Sequence, residues 1–209
     1  MGWCGYKRNK QNGGQGVLRV KLYLIRHGET DWQLVSKRGV TGMAASLAPL
    51  TPIGRLQIDT IAADYRLHEA EAILCSSYSR ALESAALLSR KLNLSLYVEY
   101  DLHEWLPQRD PHADLSEELM LQASESLKRE LLEPATEPTT WESLAEVRTR
   151  VVNVLTHYRQ FQTLVVVTHA VVISSLVEVQ RSVDHAEIVT LELNLDALGS
   201  GHPQALSEA

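Results

Sequence analysis

Short apolar runs, each ending in polar residues with chemistry to offer, alternate along the chain with segments of helical period, and this alternation restricts the fold more than any other feature. Arg19 to Ile25, Ala72 to Cys75, Leu94 to Val98, Leu164 to Thr168 and Ile188 to Leu193 read as strands. Between the first two, Thr51-Pro52 is an N-cap residue followed by proline at the first helical position, opening a helix with Ile58, Ile61, Ala62 and Tyr65 at helical spacing. Further helices are expected over about residues 79–92, 114–132 and 142–158, and one more pattern begins after His169. In the segment from Asp114, Leu115, Leu119, Ala123, Leu127 and Leu131 recur at every fourth position, which predicts one buried face, with Glu117, Glu118, Lys128 and Arg129 on the solvated side. Strands alternating with helices predict a three-layer α/β/α sandwich around a mostly parallel central sheet.

A chain of 209 residues has length for one substantial core, and we expect a single domain over residues 17–196. Residues 1–16, with Lys7, Arg8 and Lys10 before Gly13, Gly14 and Gly16, read as a flexible leader, and residues 197–209 as a disordered tail. Pro107 and Pro111 on one side and Pro134 and Pro138 on the other bound a helical excursion at about 105–141. An excursion placed after a strand's carboxyl end is a reasonable cover for an active site. The formal charge of -6 gives no reason to expect nucleic acid or an anionic membrane as partner, so an anion site must be a local concentration of arginine and histidine. No stretch of about eighteen apolar residues is present to span a membrane. Cys4 and Cys75 build neither a disulfide framework nor a metal-type spacing, which suits a reducing, cytoplasmic setting. Nothing in the pattern speaks to oligomeric state.

The run Leu22-Tyr23-Leu24-Ile25 ends in Arg26-His27-Gly28-Glu29-Thr30. A histidine at the carboxyl edge of a strand, beside an arginine and a glycine, suits a nucleophile that attacks phosphorus. The imidazole supplies the lone pair, Arg26 holds anionic oxygens, and Gly28 lets backbone N–H groups come close. Taken alone, the pentapeptide reads as well as a strand-to-loop turn with a solvated arginine. Three other strand ends add to it. Arg80 falls in the first turn of a helix after Ile73-Leu74-Cys75, an odd place for a cation unless an anion sits there too. His169 follows Leu164 to Val167, at the same sheet edge as His27 if the strands are parallel. Glu104 follows the strand around Leu96 and Val98, where a carboxyl group can act as general acid and then as base. The plain readings of these residues are a surface arginine, a structural histidine and a solvated carboxylate.

In this order, Arg26 to Thr30, Ser76 to Arg80, Glu104 and Thr168-His169-Ala170 resemble the histidine phosphatase superfamily, also called the phosphoglycerate-mutase-like family. The resemblance runs from about Lys21 to Leu193. Leu50-Thr51-Pro52-Ile53-Gly54 is similar to the family's Leu-Thr-x-x-Gly segment, and Trp141-Glu142-Ser143 with Arg150-Val151 to its Gly-Glu-Ser…Arg-Val segment. It implies that His27 is a nucleophile that becomes phosphorylated, with Glu104 as proton donor and acceptor. Arg26, Arg80 and His169 would form the phosphate pocket, and Gln33 would join them where the family often has asparagine. A small phosphorylated substrate and neither cofactor nor metal are implied. Ser84 in place of a common threonine, Ala170 in place of a frequent glycine, Ser174 where arginine or another polar residue is often found and Trp141 in place of glycine are further departures.

Phosphomonoester hydrolysis is the expected activity. A phosphoglycerate-type mutase is the alternative, without the longer segments that mutases use to shield the intermediate, and a non-catalytic phospholigand-binding module is a minor one. A cysteine phosphatase would need five residues between nucleophile and arginine, whereas four separate Cys75 from Arg80. His27, His103, His112 and His169 lack the close His/carboxylate spacing of a zinc helix. His68, His157, His185 and His202 read as surface or satisfied core residues.

Overall fold

Each apolar run expected to be a strand forms one, giving β1 (Arg19–Arg26), β2 (Ala72–Ser76), β3 (Ser95–Glu99), β4 (Thr163–Thr168) and β5 (Ile188–Asn194). The protein is represented by a computed structural model that describes residues 19–110, 116–130, 132, 139–177 and 182–195. The leader and tail expected at 1–16 and 197–209 lie outside the described residues, as do Cys4, His112, Leu115, Leu131 and His202. The strands make one five-stranded sheet in the order β3-β2-β4-β1-β5. β1 to β4 run parallel, and β5 returns antiparallel along β1.

Helices cover both faces, which is why the central strands read as continuous apolar runs rather than alternating ones. Leu22 and Leu24 of β1 face one core with residues of α5 (Leu144–His157) and α6 (Ala170–Val177), among them Val147, Val151, Val172 and Ile173. Tyr23 and Ile25 face the other core with α2 (Pro52–Ile61) and α3 (Ser79–Leu92), through Ile58, Ala81, Ala85 and Leu88. The result is the three-layer α/β/α sandwich. No helix among the described residues is long and apolar enough to cross a membrane.

Local chemistry sets the helix ends. The Thr51 hydroxyl accepts from Gly54 N–H at 2.9 Å, and Pro52 is the first residue of α2. Ser143 and Glu146 form a capping box that starts α5 at Leu144, two residues inside the expected segment. Asn93, at φ 55°, ends α3 in the left-handed conformation. A six-residue helix, α1 (Trp32–Lys37), was not expected, because it is too short to show a period; the Asp31 carboxylate caps it by accepting from Leu34 N–H. In α4 (Glu117–Glu130) only Ala123 of the expected apolar stripe is buried, and Leu119 and Leu127 are half-buried. An every-fourth spacing drifts by about 40° per step on a helix of 3.6 residues per turn, so such a stripe winds around the helix, and Ala123 with Leu127 is the part that packs on the core among the described residues.

Candidate active site

The parallel ladder brings the site together. Arg26 pairs with Thr168, and one step further His27 N–H donates to the Thr168 carbonyl at 3.0 Å. His27 and His169 therefore leave the same edge side by side, with ring centroids 5.1 Å apart. On β2, Cys75 is in register with Val167, so the turn at Ser76 to Tyr78 and the first turn of α3, with Arg80, open at the same level. β3 pairs Glu99 with Ser76, and a single 3₁₀ turn at Tyr100–Leu102 then carries the chain to Glu104. This is the crevice outside the carboxyl ends of the strands, where open α/β sheets place their ligands.

His27 is 4 % exposed, and its partners define its tautomer. Nδ1 lies 2.8 Å from the Gly28 carbonyl, which can only accept, so Nδ1 carries the proton. Nε2 then carries an unprotonated lone pair, which accepts from Arg80 Nε–H at 3.1 Å and is released for attack only when that guanidinium turns to a phosphate oxygen. Burial, opposed by the Gly28 carbonyl and reinforced by Arg80, Arg26 and His185, lowers the His27 pKa to about 3. The ring is neutral across physiological pH, as a nucleophile must be.

Among the described residues Arg26 and Arg80 form no ion pair. Burial lowers the pKa of both Arg26 and Arg80, with Glu104 acting the other way. Arg26 Nη1 donates to the Val183 carbonyl at 2.6 Å, while its Nε is buried without a partner. His169 is fully buried; Nε2 pairs with the Ser76 hydroxyl at 2.8 Å, and Nδ1 has no partner. Burial, then Arg80 and His27, holds the His169 pKa well below its ordinary value. Arg26 Nε and His169 Nδ1 are two of the four buried side-chain polar atoms without a partner among the described residues. Orphaned buried donors are rare enough to need a reason, and an anion arriving between two guanidinium groups supplies one.

Packing behind these residues is tight. A Cβ on Gly28 would collide with the Gly54 carbonyl, and one on Gly54 with the Glu29 carbonyl, so the two glycines let the loop after β1 lie directly on the start of α2. Ser84, the expected departure from threonine, accepts from Gly28 N–H at 3.1 Å and donates to the Arg80 carbonyl at 2.7 Å, tying that loop to α3. The Arg80 guanidinium lies 5.3 Å from the Trp32 ring and 5.1 Å from the Tyr78 ring, two cation–π contacts that hold its plane.

Glu104 is half-buried, and desolvation raises its pKa against the pull of the Trp105 N–H, Arg80, Arg26 and Arg150. Its segment is held from α5. Arg150 pairs with Glu142 through Nε at 2.6 Å and Nη2 at 3.1 Å. The same guanidinium donates to the Asp101 carbonyl at 2.5 Å and to that of Glu104 at 3.5 Å. Glu142 Oε2, the oxygen that Arg150 Nη2 meets, also accepts from Leu106 N–H at 3.2 Å. One nearly buried ion pair thus grips the Glu104 segment on both sides. Thr168 Oγ1 ties the same segment to β4 by donating to the Leu102 carbonyl at 2.8 Å.

Gln33 stands apart from this cluster. It is exposed on α1 and makes no hydrogen bond among the described residues, while its neighbour Trp32 is the one that meets Arg80. Cys75 is fully buried, and burial followed by the charge of Glu99 pushes its thiol up to about 12, so it forms no thiolate nucleophile. Among the described residues no group of three or more His, Cys, Asp or Glu is placed to hold a metal ion.

The family model of the histidine phosphatase superfamily (branch 1) matches residues 22–198. The chain belongs to this superfamily. Among solved structures it is similar to mycobacterial glucosyl-3-phosphoglycerate phosphatase in complex with VO3, with 20% identity, a TM-score of 0.61, and 82% of this chain and 92% of that one covered. It is also similar to the alpha-ribazole phosphatase of Shigella flexneri (21% identity, TM-score 0.57, 82% and 90% covered). YhfR of Bacillus stearothermophilus matches at 23% identity and a TM-score of 0.57, again over 82% and 90%. At these identities the likeness establishes a shared phosphoglycerate-mutase-like fold. No curated protein matches the sequence.

The superfamily site in this chain has occupants that the sequence did not announce. His185, read as a surface or satisfied core residue, is half-buried with its ring 5.6 Å from that of His27. His103 is buried, pairs through Nδ1 with the Glu104 carbonyl at 2.7 Å and stacks on Tyr78. Glu142 and Arg150 stood out only as a family echo; Ser143 at an N-cap was the signal that places Glu142 beside the first turn of α5 and Arg150 two turns along it.

Proposed function

We propose that this protein is a metal-independent phosphatase that hydrolyses small phosphomonoesters through a phosphohistidine on His27. The observation that carries the reading is the unprotonated His27 Nε2, held by Arg80 beside two buried side-chain nitrogens, Arg26 Nε and His169 Nδ1, that have no partner among the described residues. In the first step Nε2 attacks phosphorus in line, the bond from phosphorus to the leaving oxygen breaks, and Glu104 gives that oxygen its proton. In the second, the Glu104 carboxylate takes a proton from water, the water oxygen bonds to phosphorus, and the phosphorus–nitrogen bond breaks to return neutral His27. Charge on the equatorial oxygens is met by Arg26, Arg80 and His169. Membership of a phosphatase superfamily and the names of its structural relatives, a glucosyl-3-phosphoglycerate phosphatase and an alpha-ribazole phosphatase, support hydrolysis over phosphoryl transfer between hydroxyls. A buried free thiol at Cys75 suits the reducing, cytoplasmic setting in which we place it.

The test is a panel of phosphomonoesters with the His27→Ala variant as blank and a chelator present throughout. Release of inorganic phosphate by the wild type alone is expected. Isomerisation of a phosphoglycerate without net release would replace the proposal with a mutase.

A further inference from the structure

The turn before β5 is fixed to the nucleophile's own strand end. Ala186 N–H donates to the carbonyls of Arg26 at 3.0 Å and His27 at 3.3 Å, Arg26 N–H donates to the Glu187 carbonyl at 3.3 Å, and the Arg26 guanidinium holds the Val183 carbonyl at 2.6 Å. Within the turn, Asp184 N–H donates to a Glu187 carboxylate oxygen at 2.7 Å. Ala186 adopts φ 59°, a left-handed conformation that is unfavourable for a residue with a Cβ. A strained residue persists where its surroundings impose it, and such strain gathers at functional sites. What this backbone presents is the side chain just before it, His185.

His185 differs from the other imidazoles of the site. His27 and His103 each commit Nδ1 to a carbonyl, and His169 commits Nε2 to Ser76. The ring nitrogens of His185 form no hydrogen bond among the described residues, although the ring is half-buried and lies 5.6 Å from His27, tilted by 48°. It is nearly as close to the nucleophile as His169, which lies at 5.1 Å. Arg26 faces it as a cation, and Glu29 and Asp184 as acids; burial, then Arg26, lowers its pKa.

We infer that His185 is a further catalytic residue, whose ring N–H donates to an oxygen of the phosphoryl group transferred to His27. The inference rests on His27 being the nucleophile. The same turn also lines, with Ile53, Leu56 and Ile61, a cavity of about 450 Å³ to which Arg26, His27, Arg80, Glu104 and His169 do not contribute. A role toward the leaving group is the rival assignment, and the two differ in what they predict.

The experiment measures kcat/KM for one aryl and one alkyl phosphomonoester, and inhibition by orthovanadate, in the wild type, His185→Ala and His27→Ala. A contact to the transferring phosphoryl group predicts that His185→Ala loses roughly 10- to 100-fold in kcat/KM, by the same factor for both substrates, with orthovanadate inhibition weakened in parallel. Unchanged orthovanadate inhibition, or a loss confined to one leaving group, overturns the assignment. Turnover that survives in His27→Ala overturns the nucleophile reading itself. If the alanine variant does not fold, His185→Phe keeps the ring's bulk, removes both nitrogens and faces the same criteria.

Discussion

The two halves of the site are built by different means. His27 and His169 are placed by backbone: adjacent parallel strands in register deliver both rings to one edge, and Arg80 follows from the helix after the next strand. Glu104 is placed by side chains: it sits after a 3₁₀ turn beyond an edge strand, held by the Arg150–Glu142 pair and by Thr168. The half around the proposed nucleophile shares the rigidity of the sheet, whereas the half around the proposed acid is held by one ion pair and one hydroxyl. Position and protonation of the proton donor should therefore respond to changes that leave phosphate binding untouched.

The comparison is tested most severely at the carboxyl group. Glu104→Gln should lower kcat for an alkyl phosphomonoester by about 10²–10⁴-fold and cost far less with a nitrophenyl leaving group, which needs no proton. Because the acid must be protonated, activity should fall as pH rises through the raised Glu104 pKa, and Glu104→Gln should lose that alkaline limb. An unchanged limb would remove Glu104 from the proton transfer. On the opposite half, Arg80→Ala should cost about 10²–10³-fold for every substrate alike, along with orthovanadate affinity, since it meets charge on the phosphoryl group itself.

Arg150→Met probes the dependence of one half on its clamp. It should lower kcat about tenfold for alkyl substrates, leave orthovanadate inhibition at the wild-type value, and reduce stability by about 3 kcal/mol in denaturant unfolding, because Glu142 remains nearly buried without its partner. Parallel loss of orthovanadate inhibition would show that the halves are not separable.

A further effect is on stability against pH. His27 has a folded pKa of about 3 against an ordinary 6.5, and that of His169 is lowered too, so the unfolded chain binds more protons through this window. Their contribution is complete above about pH 6.5 and is lost as pH falls toward 3. Glu104 acts with the opposite sign, its contribution fading as pH rises through its raised folded value. The melting temperature should drop on acidification, and less so in His27→Asn; an identical drop in both would contradict the buried neutral ring.

The same division decides what could be read from the sequence. Strand ends are marked by where apolar runs stop, so His27, His169 and Arg80 could be assigned to one edge before any coordinates. The N-cap at Thr51 could be read the same way, whereas Ser84 stood out only as a departure from a family threonine and its tie between Gly28 and Arg80 came from the structure. His185 could not be found that way, because its approach to His27 comes from the antiparallel return of β5 and a left-handed Ala186. The grip of Arg150 on the Glu104 segment joins elements that no period or motif links, and Gln33 was drawn toward the site by a family position while α1 turns it outward.

The measurement that bears most directly on the account is rapid quenching of the enzyme during turnover of a ³²P-labelled phosphomonoester, followed by peptide mapping. The account predicts an acid-labile, alkali-stable phosphoryl label on His27, accumulating further in Glu104→Gln when a nitrophenyl substrate loads it faster than water removes it. Hydrolysis proceeding with no label on His27, or with the label on another residue, would contradict it.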